Sequence, residues 1–492
     1  MRTLLDSFCS VAKKYPEKVA IKSKGENLTY KNLYADILSV SNWLGNRGLN
    51  HGDRVGIHIP NSIDYVTLYY ACWVVNLVPV ALNTFASKNE IEYWVKNSGC
   101  KLLFSSKLKE LSTNDSVKLI FLDLQGVALD SYKESKEPLA TSEIVANIND
   151  VATIIYTSGT TGNPKGITLT HKNLATNIHA IIKSLSIVSN DVFLCVLPFF
   201  YSFGNSILHT HLVSGSTLVL LNNVTYPSEI LNSIEDHHCT GFAGVPSLYI
   251  SLLKKTNFDK YNLSSLRYMT QAGGPLSKEF ISEMRELLPL IDFVVMYGQT
   301  EASARISYLP PKYLDSKIGS VGIGVEGVNL TVINADGFEC NPMEHGEICV
   351  SGSNIMAGYW NNSEATSRVF KEGKLHTGDM GYKDNDGFLY IVGRQTEILK
   401  ISEHRVSPYE IEEVILRLNE VEECAVIGCD HHQMGQVAKA FIILNKHELS
   451  ALKIKKFCKQ SLASYKIPKD IEFVTSLPKT SSGKIKRSML QC

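Results

Sequence analysis

An α/β fold is expected from this sequence: a large N-terminal domain of layered α/β subdomains plus a small β-rich subdomain, followed by a small α+β C-terminal domain. Three observations predict it. Short apolar runs alternate with helix-period segments from Arg54 to Gly298. Between Tyr308 and Ile391 the text changes to short strands and glycine turns, as in "GVNLTVINADGFE", "GEICVSG" and "GFLYIVG". After Arg394 the βα alternation returns. At 492 residues the chain exceeds what one hydrophobic core usually supports. Two domains are therefore expected, over 1–394 and 395–492.

The elements follow in order. "MRTLLDSFCSVAKKYPEKVA" reads as an amphipathic helix broken by lysines and a proline, and it lacks an apolar core ending in a small-residue cleavage site, so no export is expected. "RVGIHI" (Arg54–Ile59), "KLLFSS" (Lys101–Ser106), "KLIFLD" (Lys118–Asp123) and "VATIIYTS" (Val151–Ser158) read as strands, with helical segments such as "IDYVTLYYACWVV" between them. The most apolar window, Tyr69–Leu82, is shorter than the roughly 20 residues of a spanning helix and contains Pro79. It reads as a buried helix running into a strand, and no transmembrane segment is expected. "STLVLL", "GFAGVP", "LRYMTQAGG" and "DFVVMYG" continue the strand series, each followed by a loop and then a helical run such as "PSLYISLLKKT" or "SKEFISEMRELL".

Composition narrows the function. Lys plus Arg (49) balances Asp plus Glu (49), so no global field draws the chain to nucleic acid or an anionic membrane, and small-molecule chemistry moves up the list. The 11 cysteines are scattered and never spaced as Cys-x-x-Cys. Free thiols in a reducing compartment, the cytoplasm, are expected. The pairs His237-His238 and His431-His432 lack further ligands at metal-like spacing and read as surface residues.

The chemistry concentrates in "YTSGTTGNPKGITLTHKN", Tyr156–Asn173. "ATIIYTS" and "GITLT" are two strands joined by a glycine-rich loop, and Thr170 is placed to cap a helix whose apolar positions are Leu174, Ile178, Ile181, Ile182 and Leu185. Gly159, Gly162 and Gly166 allow close backbone approach, free N–H groups and threonine hydroxyls can donate to anionic oxygens, and Lys165 adds a mobile cation. Those are the needs of a polyphosphate. The register differs from the Gly-x-x-x-x-Gly-Lys-[Ser/Thr] loop, because Gly166 follows the lysine.

"YTSGTTGNPKG" resembles the phosphate loop of the adenylate-forming superfamily: acyl-CoA synthetases, stand-alone adenylation enzymes and firefly-type luciferases. Further words resembling that family follow in order: "YGQTEA" (Tyr297–Ala302), "HTGD" (His376–Asp379), "GFLYIVGR" (Gly387–Arg394), "RVSPYEIEEVI" (Arg405–Ile415) and "PKTSSGKIKR" (Pro478–Arg487). The resemblance implies an AMP-forming acid–thiol ligase that joins a carboxylic acid to AMP, releases pyrophosphate and passes the acyl group to a thiol. It implies ATP and Mg²⁺, and either CoA or a carrier protein's phosphopantetheine acting in trans. It further implies that the small domain is mobile.

Residue roles follow from the same resemblance. Thr157, Ser158, Gly159, Thr160, Thr161, Gly162 and Lys165 would surround the phosphates, while Gly273, Gly274, Tyr297, Gly298 and Gln299 would line the nucleotide site. Thr300 would contact the α-phosphate and Glu301 would hold the metal, a role suited to a carboxylate oxygen. Asp379 would accept the ribose hydroxyls beside Arg394, and Lys484 would be the catalytic lysine, with Lys400 a second catalytic lysine of the small domain and Thr396 at the hinge. The acyl pocket would draw on Tyr201, Phe203, Gly244, Gln271 and Ala272; Tyr201, Phe203 and Tyr249 suit either that pocket or a plain core.

Three positions depart from the family pattern. Amino-acid-activating members carry aspartate after the phenylalanine where this chain has Tyr201, so no anchor for an α-ammonium is present. Thr396 replaces the usual hinge aspartate or lysine. In "KISEHR", Glu403 stands where glycine usually faces the pantetheine arm, which points either to an acceptor other than free CoA or to a side chain turned to solvent. The alternatives are a stand-alone adenylation enzyme loading a carrier in trans, or a luciferase-like oxygenase or a binding protein without turnover.

Overall fold

The protein is seen here in a computed structural model that describes residues 2–23, 25–111, 117–121, 146–157, 164–222, 224–402, 404–431, 434–445, 448–479 and 485–492. Among these residues the strands form four sheets.

The first helix, Leu4–Lys14, starts at Thr3, whose hydroxyl accepts the Asp6 N–H while the Asp6 carboxylate reaches back to the Thr3 N–H. A seven-stranded sheet is built around Arg54–His58, which pairs in parallel with Val78–Ala81 and Cys100–Ser105. Its crossovers are the helices Ile63–Val74 and Lys88–Ser98. Every residue from Tyr65 to Val74 is buried, because this helix is apolar on all sides. The Trp73 indole N–H donates to the Ala152 carbonyl at 2.8 Å, which locks the helix to the strand Val151–Thr157. The apolar window thus folds as expected, a buried helix turning into a buried strand.

The second sheet has nine strands. Gly241–Gly244, Tyr268–Gln271 and Asp292–Tyr297 lie side by side in parallel, with Gly244 opposite Gln271 and Gln271 opposite Val295. Their carboxyl ends therefore share one edge, the place where α/β sheets present their ligand-binding loops. The β-rich region holds the third sheet, with Val328–Ile333, Gly346–Gly352, Lys374–Lys383 and Leu389–Arg394 in antiparallel pairs. The fourth is built on the long hairpin Val421–His431 and Gly435–Leu444, against which Pro408–Leu416 and Ala451–Ser461 pack. This last unit touches the large domain through Lys254 Nζ on the Val421 carbonyl (2.9 Å) and Arg417 on Glu279 (2.8 Å).

The cysteine expectation needs correction at two positions. Cys429 and Cys492 form a disulfide, with Cα atoms 5.5 Å apart across 63 residues of sequence. The chain end folds back along the strand Val421–His431 and brings the sulfurs together, a proximity no local spacing could reveal. The other nine cysteines are free thiols.

Candidate active site

The hairpin forms as the sequence requires. Val151–Thr157 and Lys165–Thr170 pair antiparallel, with Thr157 directly opposite Lys165, so both stand at the mouth of the glycine loop. Ser158, Gly159, Thr160, Thr161 and Gly162 lie outside the described residues. Thr170 caps the helix His171–Leu185: its hydroxyl accepts the Asn173 N–H at 3.1 Å, and the Asn173 amide oxygen accepts the Thr170 N–H at 2.9 Å.

On the other edge of this hairpin runs the short strand Gly358–Tyr359, with Tyr359 opposite Ile167. Lys165 Nζ stands 4.8 Å from the centre of the Tyr359 ring. The Tyr359 hydroxyl in turn donates to Glu301 Oε1 at 2.9 Å. Burial and the Glu301 charge push the Tyr359 pKa up, so this hydroxyl stays a donor at ordinary pH.

Glu301 arrives from the strand Asp292–Tyr297. Gly298 is required there, since a Cβ at this position would sit 1.8 Å from the Ala304 carbonyl oxygen. The chain then makes a tight turn over Thr300–Ala302 and passes through positive φ at Ser303 (62°) and Ala304 (129°), backbone that side chains rarely adopt. The Thr300 hydroxyl lies 3.0 Å from that of Ser202, the first residue of the helix Ser202–Ser214.

Asp379 and Arg394 are cross-strand partners in the β-rich sheet. Arg394 Nε donates to Asp379 Oδ1 at 2.8 Å, and the Tyr297 hydroxyl donates to Oδ2 at 2.6 Å. Burial works against the Arg394 charge, but Asp379, Tyr297, Glu301 and Glu397 outweigh it and raise its pKa. Thus Tyr297, Glu301, Asp379 and Arg394 form one electrostatic cluster. The turn that presents Asp379 is braced from behind: Glu347 accepts the Gly378 N–H at 3.1 Å and pairs with His376 Nδ1 at 2.8 Å.

Of the residues expected to line the acyl pocket, three lie at the sheet edge and two at the start of a helix. Gly244 and Gln271 end adjacent strands, Ala272 follows, and the Gln271 side-chain amide donates to the Gly274 carbonyl at 2.7 Å, which fixes the turn through Gly273. Tyr201 precedes the helix Ser202–Ser214, its hydroxyl 3.4 Å from the Asn83 amide nitrogen. Phe203 stacks under the Arg305 guanidinium at 3.8 Å. Tyr249 is a core residue, fully buried with its hydroxyl on the Thr270 carbonyl.

Thr396 and Lys400 are exposed, and the Lys400 N–H bonds the Gln436 side chain at 2.8 Å. Lys484 and Glu403 lie outside the described residues. Three residues past Lys484, Arg487 grips Glu412 with two bonds of 2.8 Å and reaches Glu397, next to Thr396, at 3.2 Å. No spacing singles out Tyr359 or Ser202, and Arg487 closes the word "PKTSSGKIKR" with no role assigned to it, because each is an ordinary residue until the fold brings it to its partner.

The family model described as AMP-binding enzyme matches residues 8–360, and that of the AMP-binding enzyme C-terminal domain matches residues 410–484. The chain is 32% identical over 478 residues to a 2-succinylbenzoate–CoA ligase of Bacillus subtilis, covering 97% of this chain and 95% of that one. It is 32% identical to 4-coumarate–CoA ligase 3 of Arabidopsis thaliana, covering 96% and 87%. The solved o-succinylbenzoate CoA synthetase of Bacillus subtilis, in complex with its acyl-adenylate intermediate, superposes with a TM-score of 0.88 at 31% identity, covering 100% of this chain and 98% of that one. The same enzyme has been solved with ATP and magnesium ion. Matched along nearly its whole length, the chain belongs to the AMP-binding enzyme family, the adenylate-forming superfamily, and is an AMP-forming acid–thiol ligase of the acyl-CoA synthetase type.

Proposed function

We propose that this ligase activates a carboxylic acid without an α-ammonium group and transfers it to CoA. The observation that carries the reading is the convergence of Thr300, Glu301, Tyr297, Asp379 and Arg394 beside the mouth of the glycine hairpin. Adenylation gathers charge on phosphate oxygens, so fixed donors and cations at that spot lower its barrier. The hairpin's threonines, Ser158 and Lys165 cradle the β- and γ-phosphates, Thr300 donates to the α-phosphate, and Asp379 accepts the ribose hydroxyls. Gly273, Gly274, Gly298 and Gln299 frame the adenine. The Glu301 carboxylate, a hard oxygen ligand among phosphate oxygens and water, fits Mg²⁺.

Lys484 completes the adenylating arrangement by bridging the reacting carboxylate and the α-phosphate. We place the domain boundary at 394/395, with Thr396 as the hinge and the 395–492 unit turning between half-reactions, so that Lys400 takes up its role only in one of them. Tyr201, Phe203, Gly244, Gln271 and Ala272 line the acyl pocket. Among the described residues no helix is long and apolar enough to cross a membrane. With ATP and CoA as co-substrates, the cytoplasm is the site of action. A phosphopantetheine arm on a carrier protein in trans is the second acceptor, favoured by Glu403. The test is ATP–pyrophosphate exchange over alkyl, aryl and amino acids, followed by CoA and carrier acceptors. Exchange with an amino acid and with no simple acid would overturn the reading.

A further inference from the structure

Arg305 is buried, 4% exposed, and its backbone is pinned in place. Its N–H donates to the Asn177 side-chain oxygen at 3.1 Å and its carbonyl accepts from the Asn177 amide at 2.7 Å, and Asn177 is itself fully buried. Two apolar side chains, Met296 and Phe203, meet the guanidinium. Among the described residues its Nε reaches only the Met296 sulfur, at 3.3 Å, and its flat face rests on the Phe203 ring at 3.8 Å.

Among the described residues no carboxylate faces it. Two other arginines behave differently: Arg394, its side chain 38% exposed, has Asp379 at 2.8 Å, and Arg487, 12% exposed, has Glu412 at 2.8 Å on two bonds. For Arg305, burial alone draws the pKa down to about 9, which leaves the group charged at neutral pH with no compensating anion. Taking a cation out of water is costly without a facing anion, and stacking on one aromatic ring offsets only part of that cost. Retention of the charge asks for an anion that comes and goes.

The place where it would arrive is set by the neighbours. Phe203 lies one residue beyond Ser202, whose hydroxyl meets Thr300, and Arg305 closely follows the Thr300–Ala302 turn. Met296, on the strand that delivers this turn, packs in one small cluster with Ala272, Val294 and Phe203. Arg305 therefore stands against the pocket lining of Phe203 and Ala272, set back from the phosphate side.

We propose that Arg305 receives a second carboxylate at the far end of the acid, so that the preferred substrates are dicarboxylic acids activated at the carboxylate nearer Thr300. The inference rests on the reading of Phe203 and Ala272 as acyl-pocket lining. A fork-shaped guanidinium binds a carboxylate through two parallel hydrogen bonds, and a desolvated cation repels an ammonium, in keeping with the missing aspartate at Tyr201.

The experiment compares matched pairs of acids, alkanoic with α,ω-alkanedioic of equal length and aryl acids with and without a second carboxylate. Pyrophosphate exchange is measured with the parent enzyme, Arg305→Met and Arg305→Lys. The parent should favour the diacid by about 10²-fold or more in kcat/KM, since a site built for a polar group rejects the analogue that leaves it unpaired. Arg305→Met should lose about that factor on diacids, chiefly through KM, and gain on the monoacids, while Arg305→Lys keeps part of the preference and ATP affinity is unchanged in both. A parent that favours monoacids, or an Arg305→Met enzyme that keeps the diacid preference, overturns the proposal. Should Arg305→Met not fold, the parent's pairwise ratios decide. A parent that binds ATP yet exchanges with neither class of acid would instead bring down the adenylation reading itself, and this inference with it.

Discussion

The Tyr359 hydroxyl donates to Glu301 Oε1 at 2.9 Å while the face of its ring lies 4.8 Å from Lys165 Nζ. One side chain thus touches both the carboxylate assigned to the metal and the cation at the mouth of the phosphate loop. Tyr359→Phe keeps the ring under Lys165 and removes only the donor. A hydrogen bond to a charged group contributes about 1.5–3 kcal/mol. We expect the Mg²⁺ concentration for half-maximal pyrophosphate exchange to shift, with the rate falling by about 10-fold or more, and the KM for the acid to stay put. Mn²⁺ binding in the presence of ATP, followed by electron paramagnetic resonance, reads the same effect without turnover. Unchanged metal dependence would show that the hydroxyl does not position Glu301.

Asp379 is held from two sides, by Tyr297 at 2.6 Å and Arg394 at 2.8 Å. Asp379→Asn keeps the shape and removes the charge, which weakens both of those bonds and those to the ribose hydroxyls. AMP affinity, measured by calorimetry, should fall by about 10- to 10²-fold, with each lost charge-assisted bond contributing about 1.5–3 kcal/mol. Equal AMP affinity in parent and variant would remove Asp379 from the nucleotide site.

The contrast between Asp379 and Tyr359 shows what sequence can carry. Lys165 lies in a glycine-rich word whose composition itself signals a phosphate loop, whereas Glu301 and Asp379 stand out only through the resemblance of their words to the family's. The hairpin, the Thr170 cap and the buried helix Ile63–Val74 are local consequences of periodicity and capping chemistry, and they too are legible. Tyr359 reaches Glu301 only because a two-residue strand docks on the far edge of the hairpin. Arg305 has its backbone held by two hydrogen bonds from the side chain of Asn177, 128 residues earlier, a contact that no spacing reveals. Cys429 and Cys492 meet across 63 residues for the same reason, since such contacts are made by tertiary topology and leave no trace in spacing.

Lys484→Ala should cut adenylation by about 10²-fold or more, the scale of losing one strong electrostatic contact to a developing charge. ATP binding and consumption of preformed acyl-AMP should be largely retained. The Arg487 anchor on Glu412 and Glu397 lies outside the substitution, so the segment keeps its attachment. Pyrophosphate exchange at the parent rate would remove the lysine from the first half-reaction.

Acid should destabilise the large domain in a defined window. Burial lowers the pKa of His58, His171 and His211 to about 4 and that of His209 to about 3. In the unfolded chain each titrates near ~6.5. Their contribution is thus fully present above pH ~6.5 and is lost as pH falls from there toward pH ~4, because the unfolded state binds the protons first. Each imidazole can add up to ~1.4 kcal/mol per pH unit to the slope. Urea midpoints at pH 7.5 and 5.5 should differ accordingly, and His209→Phe should flatten the dependence. A midpoint independent of pH across this interval would contradict the burial of these rings in neutral form.

The final prediction concerns Glu403, which follows Ser402 in the connection between the strands Leu399–Ile401 and His404–Val406. Ser402 has φ 54° and its N–H bonds the Met434 carbonyl at 2.7 Å, so the turn is anchored to the hairpin of the small domain just before Glu403. If that domain turns to admit the thiol, a carboxylate here repels the phosphates of CoA more than a carrier-borne arm that lacks the adenosine phosphates. Glu403→Gly should therefore lower the apparent KM for CoA and leave pyrophosphate exchange nearly unchanged. Raising the salt concentration should narrow the gap between parent and variant, since the repulsion is screened over about 10 Å at 0.1 M. Equal CoA kinetics at low salt would mean that the glutamate faces away from the thiol's path, and a parallel loss in both half-reactions would mark it as a residue of the turn's own structure.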